Sequence, residues 1–383
     1  MVDDAWFQLG MQVGKRRFES LKTAMPVFKD FRWSGTEAFR RFNSSVYFPV
    51  VFIPQAVGLK IAQALDLRLV QSLQLASMLN AVTCLLAIAL AIHVAVAGKY
   101  VIAVIGTLPM TLHQLASVSL DGLVIAGSLL MFSLVSTALM RRQVSSPALF
   151  GVTALGALMA ATKLPYAAIA LSTLATLWWT EPRSDRKPLK YALACAALIS
   201  ITALWISISN AGAVRHSSRI QTSPGDQLAF LLSHPLEIPG LAFSTLAAHS
   251  HEYLAQIIGV LGWLDAPLPL VAYVALGLGL AAVLVMDGVR AQPLVRWTIL
   301  AGLTVSVALI FVSLYLIWNP LGSSGPIEGV QGRYFLPLLP FLACVLPKPQ
   351  HPASDNLKPL IFAICGVVSS LATVATIIER YYG

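Results

Sequence analysis

Charge is what this chain lacks most. Asp, Glu, Lys and Arg make up 11% of its 383 residues, against 57% hydrophobic residues, and the mean hydropathy is +0.75. Soluble domains carry about 25% charged residues, so a water-soluble globular protein is excluded. Cysteine is scarce too. Cys84, Cys195, Cys344 and Cys365 each lie in an apolar run and form no CxxC pair. They read as small core residues, which excludes a disulfide framework or a zinc site. Walker A and GxSxG motifs are missing. The "GLGL" stretch at Gly277–Leu280 falls inside an apolar run, where it reads as close helix packing. His249 and His251 in "AAHSHEYL", with Glu252 adjacent, lack HExxH spacing, so no metal is expected there. No internal repeat or low-complexity tract is visible. A secondary transporter built on inverted repeats carries corresponding broken helices in its two halves, and no such pair is found. The net charge is +9, but no aromatic–basic pattern accompanies it, so nucleic acid is not expected as a partner. Excess Lys and Arg in so apolar a chain report orientation and contact with the anionic headgroups of membrane lipids.

Long apolar runs are what the chain has. A membrane span takes about 20 apolar residues. Candidates lie at 69–97, 101–116, 120–140, 147–162, 164–180, 189–208, 267–286, 296–318, 333–347 and 357–378. These predict an all-α, polytopic transmembrane bundle of about ten spans. The runs at 147–162 and 164–180 are parted only by Lys163 and Pro165, so they form either a tight hairpin or one long broken helix. One alternate set of loops carries Lys99, Arg141, Arg142, Arg183, Arg186, Lys187, Lys190, Arg290, Arg296, Lys348 and Lys358. The other set carries Lys163, Arg215, Arg219, Arg333 and Arg380. The positive-inside rule makes the first set cytoplasmic. The loop at about 209–266 and the short loop at 319–332 then face outside, and so do residues 1–68. Residues 1–45 are polar and hold no signal-like apolar stretch. A polar N-terminus does not ordinarily cross a membrane unaided, so either the span parity is off by one or an upstream first span is missing, and the missing span is the expectation. The chain thus divides into a polar N-terminal segment with an interfacial helix (1–68) and a transmembrane domain (69–383).

Two outer segments read as interfacial helices. Ser45–Leu65 is interrupted by Pro49 and Pro54, with Gln55, Lys60 and Gln63 on a polar side. Proline costs a helix interior about 3 kcal/mol. Ser223–Leu254 opens a helix at Ser223–Pro224 and breaks it at His234–Pro235. Such amphipathic pieces lie in the interface plane.

Few residues in this chain offer chemistry. Arg333 stands at the mouth of an apolar segment in "GVQGRYFLPLLP", flanked by Gln331 and Tyr334 and preceded by the flexible "GSSGP" at Gly322–Pro326. A guanidinium fork at headgroup depth matches a phosphate, whereas an ordinary arginine at a helix end snorkels. Asp121 in "ASVSLDGLVIAG" suits either a general base or a first-turn helix carboxylate. Asp265 in "VLGWLDAPLP" offers the same choice. Lys163 and Tyr166 in "ATKLPYAA" mark a span end or neutralise a lipid phosphate. Asp3 and Asp4 form an acidic pair, read first as solvated N-terminal residues. His93 and His113 are read as structural.

Five stretches occur in order: Asn43–Ala62, Leu108–Gly122, Ala161–Tyr166, Gly259–Asp265 and Gly329–Pro340. Together they resemble the domain-of-unknown-function 2142 family of predicted bacterial membrane proteins. The resemblance covers about residues 40–345. It implies a GT-C-like arrangement and use of a polyprenyl-phosphate-linked sugar at the outer face of the bacterial inner membrane. Asp121 and Asp265 are then candidate catalytic residues. Arg333, Tyr334, Gln331, Lys163 and Tyr166 are candidate substrate-binding residues. The family's acidic loop motif, with its proline and histidine, is not matched by Asp3 and Asp4. The expected activity is glycosyl transfer in cell-envelope assembly, and the alternatives are a flippase of lipid-linked glycans or a membrane scaffold.

Overall fold

In lipid every backbone N–H and C=O must be paired within the chain, so runs of Leu, Ala, Ile and Val have one outlet, the helix. A computed structural model describes residues 2–39, 46–212, 223–346 and 353–383. Asn43–Ser45, Arg215, Arg219 and Lys348 lie outside the described residues. The helices are α1 (Asp4–Lys15), α2 (Leu21–Phe28), α3 (Ile53–Ala64), α4 (Leu69–Val94), α5 (Lys99–Thr107), α6 (Pro109–Leu115), α7 (Leu120–Arg141) and α8 (Ser146–Thr162). They continue as α9 (Ala167–Thr180), α10 (Lys187–Gly212), α11 (Pro224–Ser233), α12 (Glu237–Ile258), α13 (Leu270–Met286), α14 (Pro293–Trp318), α15 (Leu339–Val345) and α16 (Ala353–Tyr382). The only strands among the described residues are two-residue ribbons: Val2–Asp3 with Glu37–Ala38, and Val260–Leu261 with Ala266–Pro267. The molecule is all-α.

Five helices among the described residues are long and apolar enough to cross a membrane: α4, α7, α10, α14 and α16. The other expected spans are shorter or interrupted. The run at 101–116 breaks at Pro109, because a residue before proline is pushed out of the helical region. Leu108 accordingly takes ψ 141, and Pro109 starts α6. The run at 333–347 is a 3-10 turn, Gly332–Leu338, followed by the seven-residue α15. Between α8 and α9, Lys163 is extended (φ −143, ψ 106) and Leu164–Tyr166 forms one 3-10 turn, so the two helices fold back on each other as a hairpin.

α7 is the central helix. Its apolar window is 72% buried, against 17% for α10 and 22% for α16. Small residues let neighbours approach it. Ser128 donates to the Pro337 carbonyl, Ser136 donates to the Ala97 carbonyl, and Phe132 meets Phe341 edge to face at 5.9 Å. The outer helices expose rows of Leu, Ile and Val, the surface a lipid-embedded bundle presents. This is a multi-pass membrane protein.

The bundle has two distinct ends. At one, Val96 N–H donates to Thr137, Tyr100 N–H to Asp287, and Val289 N–H to the Ala343 carbonyl. The other end gathers the N-terminal helices, α3, α11, α12 and residues 319–338. There Leu69 N–H donates to the Phe31 carbonyl, Trp205 to the Val46 carbonyl, Gln227 to the Pro320 carbonyl, and Ile327 N–H to Thr245. α11 opens at Ser223, whose hydroxyl accepts from Asp226 N–H, and closes at His234, as its sequence signals predict. The segment after Pro49 likewise forms a 3-10 turn, Pro49–Phe52, and then α3.

Candidate functional site

Asp121 is placed by the start of α7. The Ser119 hydroxyl accepts from Asp121 N–H at 3.1 Å and donates to Gln114 Oε1 at 2.8 Å. A carboxylate in the first turn is favoured by the helix dipole. Gly122 follows because a Cβ there would come 2.8 Å from the Gln114 carbonyl oxygen. Buried amides hold the preceding turn. Asn80 donates to the Leu115 and Ser117 carbonyls at 3.0 and 2.9 Å, while Gln55 donates to Asn80 and to the Ser119 carbonyl at 2.9 and 3.2 Å.

Two cations from distant segments meet this carboxylate. Lys163 leaves the end of α8 and its Nζ lies 2.5 Å from Asp121 Oδ1. Arg333 sits in the Gly332–Leu338 turn with Nε 3.4 Å from Asp121 Oδ2. α12 fixes that turn. Gln256 Oε1 accepts from Gly332 N–H at 2.7 Å, and a Cβ on Gly332 would come 2.7 Å from Gln256 Cβ and 2.9 Å from Ile257 N. Tyr334 forms an aromatic wall, with Lys163 Nζ 4.2 Å from its ring centre and Arg333 Cζ 5.7 Å away. The Tyr166 hydroxyl donates to the Tyr334 carbonyl at 2.9 Å.

The charges do not cancel. Two cations against one carboxylate leave one positive charge in excess. Side-chain exposure is 9% for Asp121, 16% for Lys163 and 30% for Arg333, so the arginine is the member a ligand reaches first. Arg333 Nε and Gln331 Oε1 are buried and have no hydrogen-bond partner among the described residues. Unpaired buried polar groups are uncommon in folded proteins, and each calls for an explanation. Tyr47 stands within the field of Asp121, Arg333 and Tyr334. Burial, with Tyr334 and Asp121 nearby, raises its pKa and keeps its hydroxyl protonated as a donor.

Asp265 is held apart, on the ribbon between Val260 and Pro267. Its Oδ1 accepts from Trp263 N–H at 2.8 Å, and its Oδ2 meets Arg380 Nε and Nη2 at 2.7 and 2.6 Å. Burial pushes the Asp265 pKa upward, but the Arg380 and Trp263 hydrogen bonds outweigh it and hold the carboxyl below its usual range. Gly262 and Leu264 both take φ +65 in this ribbon, which brings the Trp263 N–H onto the carboxylate. Arg380 also reaches the Arg17 carbonyl at 3.4 Å, tying α1 to this corner. His113 lies against the Gly262 backbone and within the field of Arg333, between the two carboxylate centres.

The chain matches the family described as "Predicted membrane protein (DUF2142)" over residues 30–342. It belongs to that family. No match was found among curated proteins or among solved structures. Asp121, Lys163, Tyr166, Asp265, Gln331, Arg333 and Tyr334 all fall in the matched stretch of this DUF2142 chain. Arg17 and Arg380, the residues around the Asp265 corner, fall outside it.

Of the residues singled out from sequence, the structure joins Asp121, Lys163, Tyr166, Arg333 and Tyr334 in one cluster, with Gln331 adjoining in the chain. Asp265 is not in contact with it. Asp3 caps α1, accepting from Ala5 N–H, Ser34 N–H, Ser34 Oγ and Gly35 N–H. Burial pushes its pKa up, but these bonds outweigh that and lower it. His249 pairs with Glu252 at 3.2 Å on the surface of α12. Tyr47, Gln55 and Asn80 were not singled out for chemistry. Their signal was slight: single polar residues in apolar or proline-broken stretches.

Proposed function

We propose that this protein uses the Asp121–Lys163–Arg333 cluster to hold the phosphate of a polyprenyl-phosphate-linked sugar, as the donor site of a glycosyl transfer in cell-envelope assembly. The observation that carries this reading is the shared carboxylate: two cations, one of them a partly exposed guanidinium, meet a single anion. A phosphate satisfies the excess charge, and the planar fork of Arg333 suits two of its oxygens. Lys163 supplies a compact second charge, while Tyr47 and Gln331 offer a donor and an acceptor to the attached group. The reading includes about ten spans in a GT-C-like bundle. By the positive-inside rule the cluster faces the outside of the bacterial inner membrane, because Lys99, Arg141, Arg142, Arg183, Arg186 and Arg290 crowd the other end.

The chemistry follows from charge. When the sugar C1–O bond breaks, the electron pair stays on the phosphate oxygen, and Arg333 and Lys163 stabilise it where it forms. The acceptor hydroxyl oxygen bonds to C1 and gives up its proton. Asp121, the carboxylate between the two cations, takes that proton. Asp265, saturated by Arg380 and Trp263, holds the adjoining ribbon in place.

The test is transfer of labelled sugar from polyprenyl phosphate to acceptor in detergent, where sidedness is abolished. Wild type forms product, and Arg333→Ala lowers it at least about 100-fold with the protein still in the membrane fraction. Transport of a lipid-linked glycan across vesicles, with no transfer in detergent, would identify a flippase and overturn the reading.

A further inference from the structure

The end of the bundle opposite the Asp121 cluster carries a groove. α9 finishes in Trp178 and Trp179, and Glu181 to Arg186 turn the chain into α10. The groove, of about 840 Å³, opens there, lined by Trp178, Trp179, Arg183, Ser184 and Lys187 among others. Lys187 is buried in its wall, donating to the Glu181 carbonyl at 2.5 Å and lying 4.8 Å from the centre of the Trp178 ring. The Glu181 carboxylate is already taken: Lys190 donates to one oxygen and the Tyr191 hydroxyl to the other. Arg183 and Arg186 are exposed and make no ion pair among the described residues. Arg183 lines the groove and Arg186 lies three residues on in the same turn, with Asp185 between them.

Past the rim the surface changes character. Leu189, Leu193, Ile199 and Leu204 are exposed along α10, which packs mainly on α8 and α9 and leaves one side open. Leu189 and Leu193 are one helical turn apart and so stand in a row. The tryptophan pair at the end of α9, the arginines of the turn and the exposed leucines at the start of α10 thus follow one another in the chain.

We propose that this groove binds an anionic diacyl phospholipid, with its phosphate at Arg183 and Arg186 and its glycerol region against Trp178 and Trp179. One acyl chain lies along Leu189 and Leu193. Guanidinium forks match phosphate oxygens, tryptophan favours the headgroup boundary, and the exposed face of α10 gives the chain an apolar path. A zwitterionic lipid fits the track but gains no net charge at the rim.

Native mass spectrometry of the whole chain in detergent tests this with an equimolar mixture of phosphatidylglycerol and phosphatidylcholine. Wild type retains phosphatidylglycerol selectively. Each of Arg183→Gln and Arg186→Gln lowers that preference about fivefold, and the double variant about 25-fold. Arg141→Gln/Arg142→Gln, on the neighbouring loop, leaves it unchanged. Equal retention of both lipids by wild type overturns the proposal, as does an equal loss in the Arg141/Arg142 control, which would mean general surface attraction. A second measurement covers the track. Phosphatidylglycerol brominated on its acyl chains quenches tryptophan fluorescence more than brominated phosphatidylcholine, and Trp178→Phe/Trp179→Phe abolishes the difference. Quenching unchanged by that double variant places the lipid elsewhere and overturns the assignment.

Discussion

Asp121 and Asp265 are both carboxylates at the same end of the bundle, both pre-paired with cations, and their surroundings differ. Asp265 meets one arginine through two nitrogens and adds a backbone N–H, so its acceptor capacity and its charge are matched. Asp121 faces a lysine at 2.5 Å and an arginine at 3.4 Å, and the arginine Nε still lacks a hydrogen bond. The Asp265–Arg380 pair ties the ribbon to α16, and Arg380 reaches on to α1's neighbour Arg17. An unmatched trio keeps charge in reserve. On the proposed reading, charge balance and unfinished hydrogen bonding separate a binding site from a strut, even where the residue types are the same.

Removing each carboxylate sharpens the contrast. Asp121→Ala strands two cations in a poorly solvated corner and is expected to cost about 3–5 kcal/mol. Asp265→Ala loses hydrogen bonds to a charged group at a more accessible site and is expected to cost about 1–3 kcal/mol. Thermal unfolding in detergent reads both, and equal losses would erase the distinction. Gly332→Ala comes next. Its Cβ would press on Gln256 and the α12 backbone, so it should cost about 1–3 kcal/mol through overpacking. It should also weaken any ligand held by Arg333 without touching the Asp265 corner.

The pH dependence belongs to the Asp265 pair. The folded pKa of Asp265 lies below its ordinary 3.8, so the stability it contributes is complete above that value and is lost as pH falls through the folded pKa. Arg380→Gln should therefore lower the melting temperature by a constant amount from neutrality down to about pH 5. The gap to wild type should close as the pH drops below 3.8. A gap that persists at low pH would mean Arg380 acts by packing alone. The smallest expected effect is Tyr166→Phe, which removes one hydroxyl-to-carbonyl bond and should cost about 1 kcal/mol.

Much of the scaffold was legible in the sequence and little of the site. The long apolar runs of α4, α7 and α14 announce themselves by length. The breaks at Pro49 and His234–Pro235 follow from the missing N–H and fixed φ of proline. Pro109 carried the same signal, but the run around it was apolar enough to read as one span. Asp121, Lys163 and Arg333 each stood out as a rare charge at an apolar boundary. Their meeting did not, because Lys163 lies 42 residues from Asp121, Arg333 lies beyond six further helices, and helical periodicity says nothing about distant pairings. Asp265 looked equivalent to Asp121 for the same reason. Its partner, Arg380, lies 115 residues away at the end of the last helix.

On the proposed reading, the unmatched trio binds phosphate. Its most direct test is equilibrium binding of a radiolabelled polyprenyl-phosphate sugar to purified wild type, Arg333→Ala and Arg380→Ala. Arg333→Ala is expected to weaken binding by at least about tenfold, the lower end for a hydrogen bond to a charged group, while Arg380→Ala binds as wild type does. Undiminished binding by Arg333→Ala, or equal losses in both variants, would contradict it.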